Sequence, residues 1–344
     1  MSEAEVLFER RGAVGLITLN RPKALNALTH GMCIAMKSQL DAWKEDDKVG
    51  CIVIRGNGDR AFCAGGDIRS LYELGKAGDP RARDFYHDEY ILNAAIKHYP
   101  KPYIAMIHGI VMGGGVGVSV HGSARVANET STFAMPETGI GLFPDVGGSF
   151  FLPRSPGEIG MYLALTGARL KAADCVYAGI ATHFVPSEQW GNLVELFAAG
   201  KSPVAAIESV AQKPADAPLA ARRSEIDRLF GGNAVEQVLL ALDRDSSDWA
   251  AETAKIIRSK SPTATKLAFR QIREGKKLDF DDCMRMEFRM VNRVVAGHDF
   301  YEGVRATIID KDQSPKWQPS RLADVSDKDI DGYFAPLGDR ELKL

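Results

Sequence analysis

Two carboxylates, Glu137 and Asp145, stand in an otherwise apolar, glycine-rich stretch, FAMPETGIGLFPDVGG (Phe133–Gly148), each directly after a proline. Carboxylates set among hydrophobic side chains are desolvated, which raises their pKa and suits them to acid–base work or to nucleophilic attack. Phe133, Met135, Leu142 and Phe143 supply such surroundings. Upstream lie two glycine-rich turns, RAFCAGGDI (Arg60–Ile68) and GIVMGGGVGVSVHG (Gly109–Gly122). Glycine lets a backbone N–H approach a bound oxygen unhindered, and a helix start adds the positive end of a dipole. One N–H from each turn would make an oxyanion hole, worth about 3 kcal/mol of transition-state stabilisation per donor.

A dinucleotide-binding loop is the competing reading of the second turn, and its spacing fails. Gly113 and Gly115 are followed by Val118 where a third glycine is required, and the acid expected further on is represented only by Glu137. His108 and His121 flank the glycines and read as packed residues at a strand end. The seven histidines have no HExxH or comparable ligand spacing, so no metal is expected. Cys63 has no recognisable histidine partner and reads as a small buried residue. Ser119, in GVGVSVHG, is not in a GxSxG elbow.

Short β-like runs and helical runs alternate around these residues. VGLITLN (Val14–Asn20), GCIVIRG (Gly50–Gly56) and PYIAMIHGIV (Pro102–Val111) read as buried strands. Between the first two, a helix capped by Thr29 carries Met32, Met36, Leu40 and Trp43 at helical spacing, and another runs from about Pro80 to Lys97. This order predicts an α/β fold with crossover helices. Beyond Glu188 the chain turns rich in Ala, Pro and charge. Helices are expected near Ala234–Leu242, Ser247–Ser259, Pro262–Glu274 and Phe280–Ala296. The division predicted is an α/β core over residues 1–200 and a helical C-terminal region over 201–344.

Composition narrows the class. The 344-residue chain is 45% hydrophobic and 26% charged with net charge −2, an ordinary globular balance with no basic field for nucleic acid. Charges or glycine-rich turns interrupt every apolar run before it could span a bilayer, so no membrane partner is expected. The five scattered cysteines include no CxxC pair, and the acidic start MSEAEVLFER resembles neither a secretory signal nor a transit peptide. A cytoplasmic location is the resulting expectation.

The motifs LNRPKALNALT (Leu19–Thr29), AFCAGGDI, GGGVG and FAMPETGIGLFPDVGG, in this order, resemble the crotonase (enoyl-CoA hydratase/isomerase) superfamily. The resemblance is closest to its 3-hydroxyisobutyryl-CoA hydrolase branch, which HDFYEGVRATIIDKDQSPKW (His298–Trp317) also resembles. It implies a crotonase-like (ββα) superhelix core with a helical C-terminal region, and an acyl-CoA substrate of which coenzyme A is a part, with no separate cofactor. It implies oxyanion donors at the N–H groups of Gly66 and Gly114. Lys23, Ala24, Leu25, Ala64, Asp67 and Ile68 would lie along coenzyme A, and Glu137 would be the catalytic glutamate. Hydratases of the family carry a second glutamate where this chain has Gly117, and glycine where it has Asp145. That departure matches the hydrolase branch and predicts Glu137 and Asp145 as the catalytic pair. Glu89 falls at a substrate-contacting position and is expected to recognise the 3-hydroxyl of the acyl group, the bland alternative being a charge on a solvated helix face. Lys311 and Lys316 read as surface lysines ahead of phosphate ligands. The family also implies a homo-oligomer, often a trimer, unless the C-terminal part folds back over its own active site. The rival readings are an enoyl-CoA hydratase or isomerase with an altered acid set, and a non-catalytic acyl-CoA-binding member.

Overall fold

The computed structural model describes residues 4–344. Ten strands are present among them: β1 (Val6–Arg11), β2 (Val14–Leu19), β3 (Cys51–Gly56), β4 (Ala61–Cys63), β5 (Tyr103–Ile107), β6 (Ile110–Met112), β7 (Ala124–Ala127), β8 (Thr132–Ala134), β9 (Leu170–Lys171) and β10 (His183–Phe184). They form a six-stranded sheet in the order β1-β2-β3-β5-β7-β10 and a four-stranded sheet in the order β4-β6-β8-β9. Three successive strand pairs, β3/β4, β5/β6 and β7/β8, each send their first member into the larger sheet and their second into the smaller one. Helical segments follow each pair in the chain, so the repeating unit is ββα, as the resemblance implies.

The central strands β2, β3, β5 and β7 pair in parallel and are buried almost throughout, which explains their unbroken Val/Ile runs. On one side Val14, Leu16, Val53, Ile104, Met106 and Val126 form a core with Leu193, Phe197 and Ile207. The edge strand β1 joins β2 antiparallel through a turn at Gly12 (φ +58°), and its exposed Glu9, Arg10 and Arg11 deter further pairing.

The predicted strand over Pro102–Val111 is two strands, β5 and β6, in different sheets. The break falls at Gly109, whose φ of +53° turns the chain so tightly that a Cβ would lie 2.3 Å from the Arg60 carbonyl oxygen. Apolar periodicity cannot report such a turn, because both halves are apolar. The helix His30–Lys44 is capped as expected, with Thr29 accepting from the Met32 N–H. The C-terminal helices run Val235–Arg244, Asp248–Ser259, Pro262–Gly275 and Phe280–Val294, within two residues of expectation at each end.

The chain forms two compact units that interleave along the sequence rather than meeting at residue 200. Among the described residues, one comprises residues 4–66, 88–134 and 169–221 and holds both sheets. The other comprises residues 67–87, 135–168 and 222–344 and is built of helices.

Candidate active site

In the sheet-bearing unit, β4 and β6 are parallel neighbours, and each ends in glycines. After β4 the chain turns at Gly65 (φ +120°) into Gly66. After β6 it turns at Gly113 (φ +48°) into Gly114, the first residue of the short helix Gly114–Gly117. Adjacent strand ends therefore bring the two turns together. A Cβ placed on Gly114 would lie 3.3 Å from the Gly66 nitrogen. The N–H of Gly114, at the first helical position, has no acceptor within its own helix. This pairing of backbone donors is what an oxyanion hole requires.

Two more glycine features hold the turns in place. The Leu28 N–H donates to the Gly65 carbonyl at 2.8 Å, and Gly115 packs so closely on β4 that a Cβ would lie 2.3 Å from the Cys63 carbonyl oxygen. Glu89, on the helix Arg81–Lys97, is only 2% exposed and is no solvated surface charge. Its Oε1 lies 2.4 Å from the position a Cβ on Gly114 would take, so this carboxylate borders the glycine hole.

In the helical unit, Glu137 opens a single 3-10 turn, Glu137–Ile140, closed by Gly141 in the left-handed region (φ +71°). Glu137 is 5% exposed, and its Oε2 has no hydrogen-bond partner among the described residues. Burial pushes its pKa well above the usual carboxylate range, and the negative charge of Asp145 pushes in the same direction. A backbone hydrogen bond and the ammonium of Lys260 oppose this. Lys260 follows the helix Asp248–Ser259, and the next residue ties the segment to the glutamate turn through Ser261 N–H to Thr138 O, 3.2 Å. The Lys260 Nζ stands 3.4 Å from where a Cβ on Gly139 would be. Asp145 is also buried, in a loop where Val146 (φ +50°) and Gly147 (φ +88°) are both left-handed.

A pH dependence follows from these charges. If Glu137 acts as a base or nucleophile it works deprotonated, so activity should climb with pH through a midpoint above the ordinary carboxylate range. Lys260→Met removes a positive charge that favours the anion, so the midpoint should move to higher pH. The pH profile of kcat for the two proteins checks this; a midpoint that stays or falls would remove Lys260 from the electrostatics of Glu137.

The residues expected along coenzyme A occupy two segments. Lys23 and Ala24 are exposed in the 3-10 turn Pro22–Ala24, and Leu25 follows in the left-handed region. The Leu25 carbonyl accepts the Ala64 N–H at 3.0 Å, which brings this turn beside the first glycine turn. Asp67 caps the helix Ile68–Lys76, accepting from the Ser70 N–H at 3.3 Å, and Ile68 is its first residue. Asn26, passed over in the sequence, is fully buried and locks the 22–28 segment. Its Nδ2 donates to the Asn57 and Ala61 carbonyls, and its Oδ1 accepts the Arg21 N–H, all at 2.9 Å.

The discarded candidates are structural. His108 is buried against the Gly58 carbonyl at 2.8 Å, and desolvation lowers its pKa. The Cys63 thiol is fully buried and pushed up to about 12, too high for a nucleophile. Ser119 donates to the Gly115 carbonyl within its own turn, and Lys311 and Lys316 are exposed. All five cysteines are buried free thiols.

A family model described as enoyl-CoA hydratase/isomerase matches residues 14–334, and the chain belongs to that family. Within it, the chain is 51% identical over 353 residues to the 3-hydroxyisobutyryl-CoA hydrolase, mitochondrial, of Danio rerio, covering 99% of this chain and 92% of that protein. It is 48% identical over 350 residues to the Homo sapiens protein of the same name, covering 99% and 91%. Among solved structures, a carnitinyl-CoA dehydratase from Mycobacterium thermoresistibile superposes with a TM-score of 0.95 at 43% identity, covering 99% of both chains. An enoyl-CoA hydratase from Rhodobacter sphaeroides gives 0.94 at 38% identity, covering 99% of this chain and 100% of that one. The fold is thus the crotonase fold. The cytoplasmic location expected from the sequence is overturned, because the Danio rerio and Homo sapiens hydrolases are named as mitochondrial enzymes. A compartment is read by receptors, and the residues of a catalytic core do not encode it.

Proposed function

We propose that this chain hydrolyses a small β-hydroxyacyl-CoA thioester, 3-hydroxyisobutyryl-CoA, to 3-hydroxyisobutyrate and free coenzyme A, a step of valine breakdown. The observation that carries the reading is the acid set: Glu137 and Asp145 are both present and buried, while Gly117 stands in place of a second glutamate. Addition of water across a double bond is suited by two carboxylates holding one water. Hydrolysis needs one carboxylate for the acyl transfer and a second group to manage the water or the leaving sulfur.

In this reading the thioester carbonyl oxygen accepts from the N–H groups of Gly66 and Gly114, which stabilise the tetrahedral oxyanion. Glu137 either takes a proton from the attacking water or attacks the carbonyl itself, giving a mixed anhydride that water then cleaves. The thiolate of coenzyme A leaves and is protonated. Repeated turnover in 18O-labelled water separates the two routes, since only an anhydride cleaved at the Glu137 carbonyl leaves label in the Glu137 carboxyl group. Lys23, Ala24, Leu25, Ala64, Asp67 and Ile68 would lie along coenzyme A, which enters as part of the substrate. Assembly into a homo-oligomer belongs to the same proposal, and light scattering would give its mass.

Glu89 would accept the 3-hydroxyl of the acyl group. A site built to hydrogen-bond a hydroxyl discriminates against analogues that lack it. Glu89→Leu should therefore lower kcat/KM for 3-hydroxyisobutyryl-CoA far more than for isobutyryl-CoA. Equal losses on both esters would take hydroxyl recognition away from Glu89.

The function itself is tested by incubating the purified protein with 3-hydroxyisobutyryl-CoA and measuring thiol and free acid together. One thiol and one acid per ester consumed is expected. Tight binding of the ester without thiol release would instead make the protein a silent acyl-CoA-binding member.

A further inference from the structure

The loop that carries Asp145 is backbone-strained. Val146 is β-branched and sits at φ +50°, followed by Gly147 at φ +88°, and a non-glycine residue in that region persists only when its surroundings over-determine it. Two side chains from the C-terminal helices supply the restraint. Upstream, Gln271, on the helix Pro262–Gly275, donates from Nε2 to the Pro144 carbonyl at 2.5 Å and to Ser149 Oγ at 3.0 Å. Downstream, Glu287, on the helix Phe280–Val294, accepts the Gly147 N–H at Oε2 and the Ser149 N–H at Oε1, both at 2.8 Å, and the Ser149 hydroxyl at 2.5 Å. Both side chains are completely buried.

A carboxylate with no solvent exposure is costly to keep, and substitution by a hydrophobic side chain of similar volume is often neutral for stability. Burial pushes the pKa of Glu287 up to about 8, although the hydrogen bonds it accepts from Ser149 and Gly147 pull the other way, and Asp145 adds a repulsive negative charge. Packing alone gives no reason for an acid here. The geometry gives one: apart from a long bond from Gln271 Nε2 at 3.5 Å, every donor to Glu287 belongs to residues two to four positions beyond Asp145.

We propose that Glu287, with Gln271, positions Asp145 by clamping the 144–149 loop on both sides of its strained residue. The proposal rests on the reading above, in which Asp145 takes part in the reaction. Glutamine at 287 offers only one acceptor oxygen and turns an NH2 group toward one of the two backbone donors, so Glu287→Gln should release one side of the clamp. Displacement of a reacting group by about 1 Å can cost on the order of 100-fold in rate.

The test is a double-mutant cycle on kcat and KM with 3-hydroxyisobutyryl-CoA, using Glu287→Gln, Asp145→Asn and the double variant, with Tm measured for each. Glu287→Gln is expected to lower kcat by about 100-fold with KM nearly unchanged. In the Asp145→Asn background the same change should cost almost nothing further, since there is no carboxylate left to position. Equal losses in both backgrounds, or a lowered Tm with kcat intact, would overturn the proposal and leave Glu287 a packing residue. Full activity of Asp145→Asn by itself would instead refute the role of Asp145, and the positioning role with it. If Glu287→Gln does not fold, Gln271→Leu asks the same question from the upstream side, with the same outcomes.

Discussion

Glu137→Gln should lower kcat by roughly 10³- to 10⁴-fold, the upper part of the range for a general base, and further still if Glu137 is the nucleophile. The substitution keeps the shape of the side chain but removes both the proton acceptor and the negative charge. Its effect on the fold should be opposite in sign. The wild-type carboxylate is buried, its Oε2 has no hydrogen-bond partner among the described residues, and the charge of Asp145 repels it. A neutral amide relieves the desolvation and the repulsion, so Tm should hold or rise while activity collapses. Parallel measurement of kcat and Tm checks both halves. A joint fall of the two would mean that Glu137 is chiefly a structural residue.

Gly114→Ala is expected to cost about 100-fold or more in kcat, the loss typical of disabling an oxyanion donor. The added methyl would stand 3.3 Å from the Gly66 nitrogen, in the space a carbonyl oxygen must enter to reach that N–H. It would also press to 2.4 Å of Glu89 Oε1 and 3.1 Å of Leu28 Cδ1. Both are ends of flexible side chains that can give way, so the protein should still fold. The neighbouring glycine provides the control. At Gly115 a methyl meets the Cys63 backbone at 2.3 Å and nothing can yield cheaply, so Gly115→Ala should lose stability as well as activity. Equal thermal losses in the two variants, with no kinetic difference, would contradict a hole at Gly66 and Gly114.

The glycine turns and the acids were legible because their chemistry demands residue types that are rare in such surroundings. Two runs of glycine after β-like strands need a reason, and so do two carboxylates in an apolar stretch. The helix from Asp248 to Ser259 and those around it were expected to within two residues, and in the structure serine or aspartate side chains cap three of them. What the sequence hides is the support. Lys260 is one lysine among many until the fold sets its Nζ against the turn bearing Glu137. Glu287 left a trace, since it falls on the buried face with Cys283, Met290, Val291 and Val294, where an acid is out of place. Gln271, polar but uncharged, left less. The separation of β5 from β6 was invisible because Gly109 interrupts a run whose two halves are equally apolar.

The choice between hydrolysis and hydration turns on Gly117, and the solved relatives named as a hydratase and a dehydratase make it worth forcing. The most direct measurement gives the purified protein 3-hydroxyisobutyryl-CoA and crotonyl-CoA in parallel, following free thiol and the absorbance of the crotonyl double bond together. Rapid thiol release from the hydroxylated ester, with the crotonyl double bond left intact, is the expected result. Loss of the double bond without free thiol would mean that one buried glutamate suffices for hydration here, and that the chain is a hydratase.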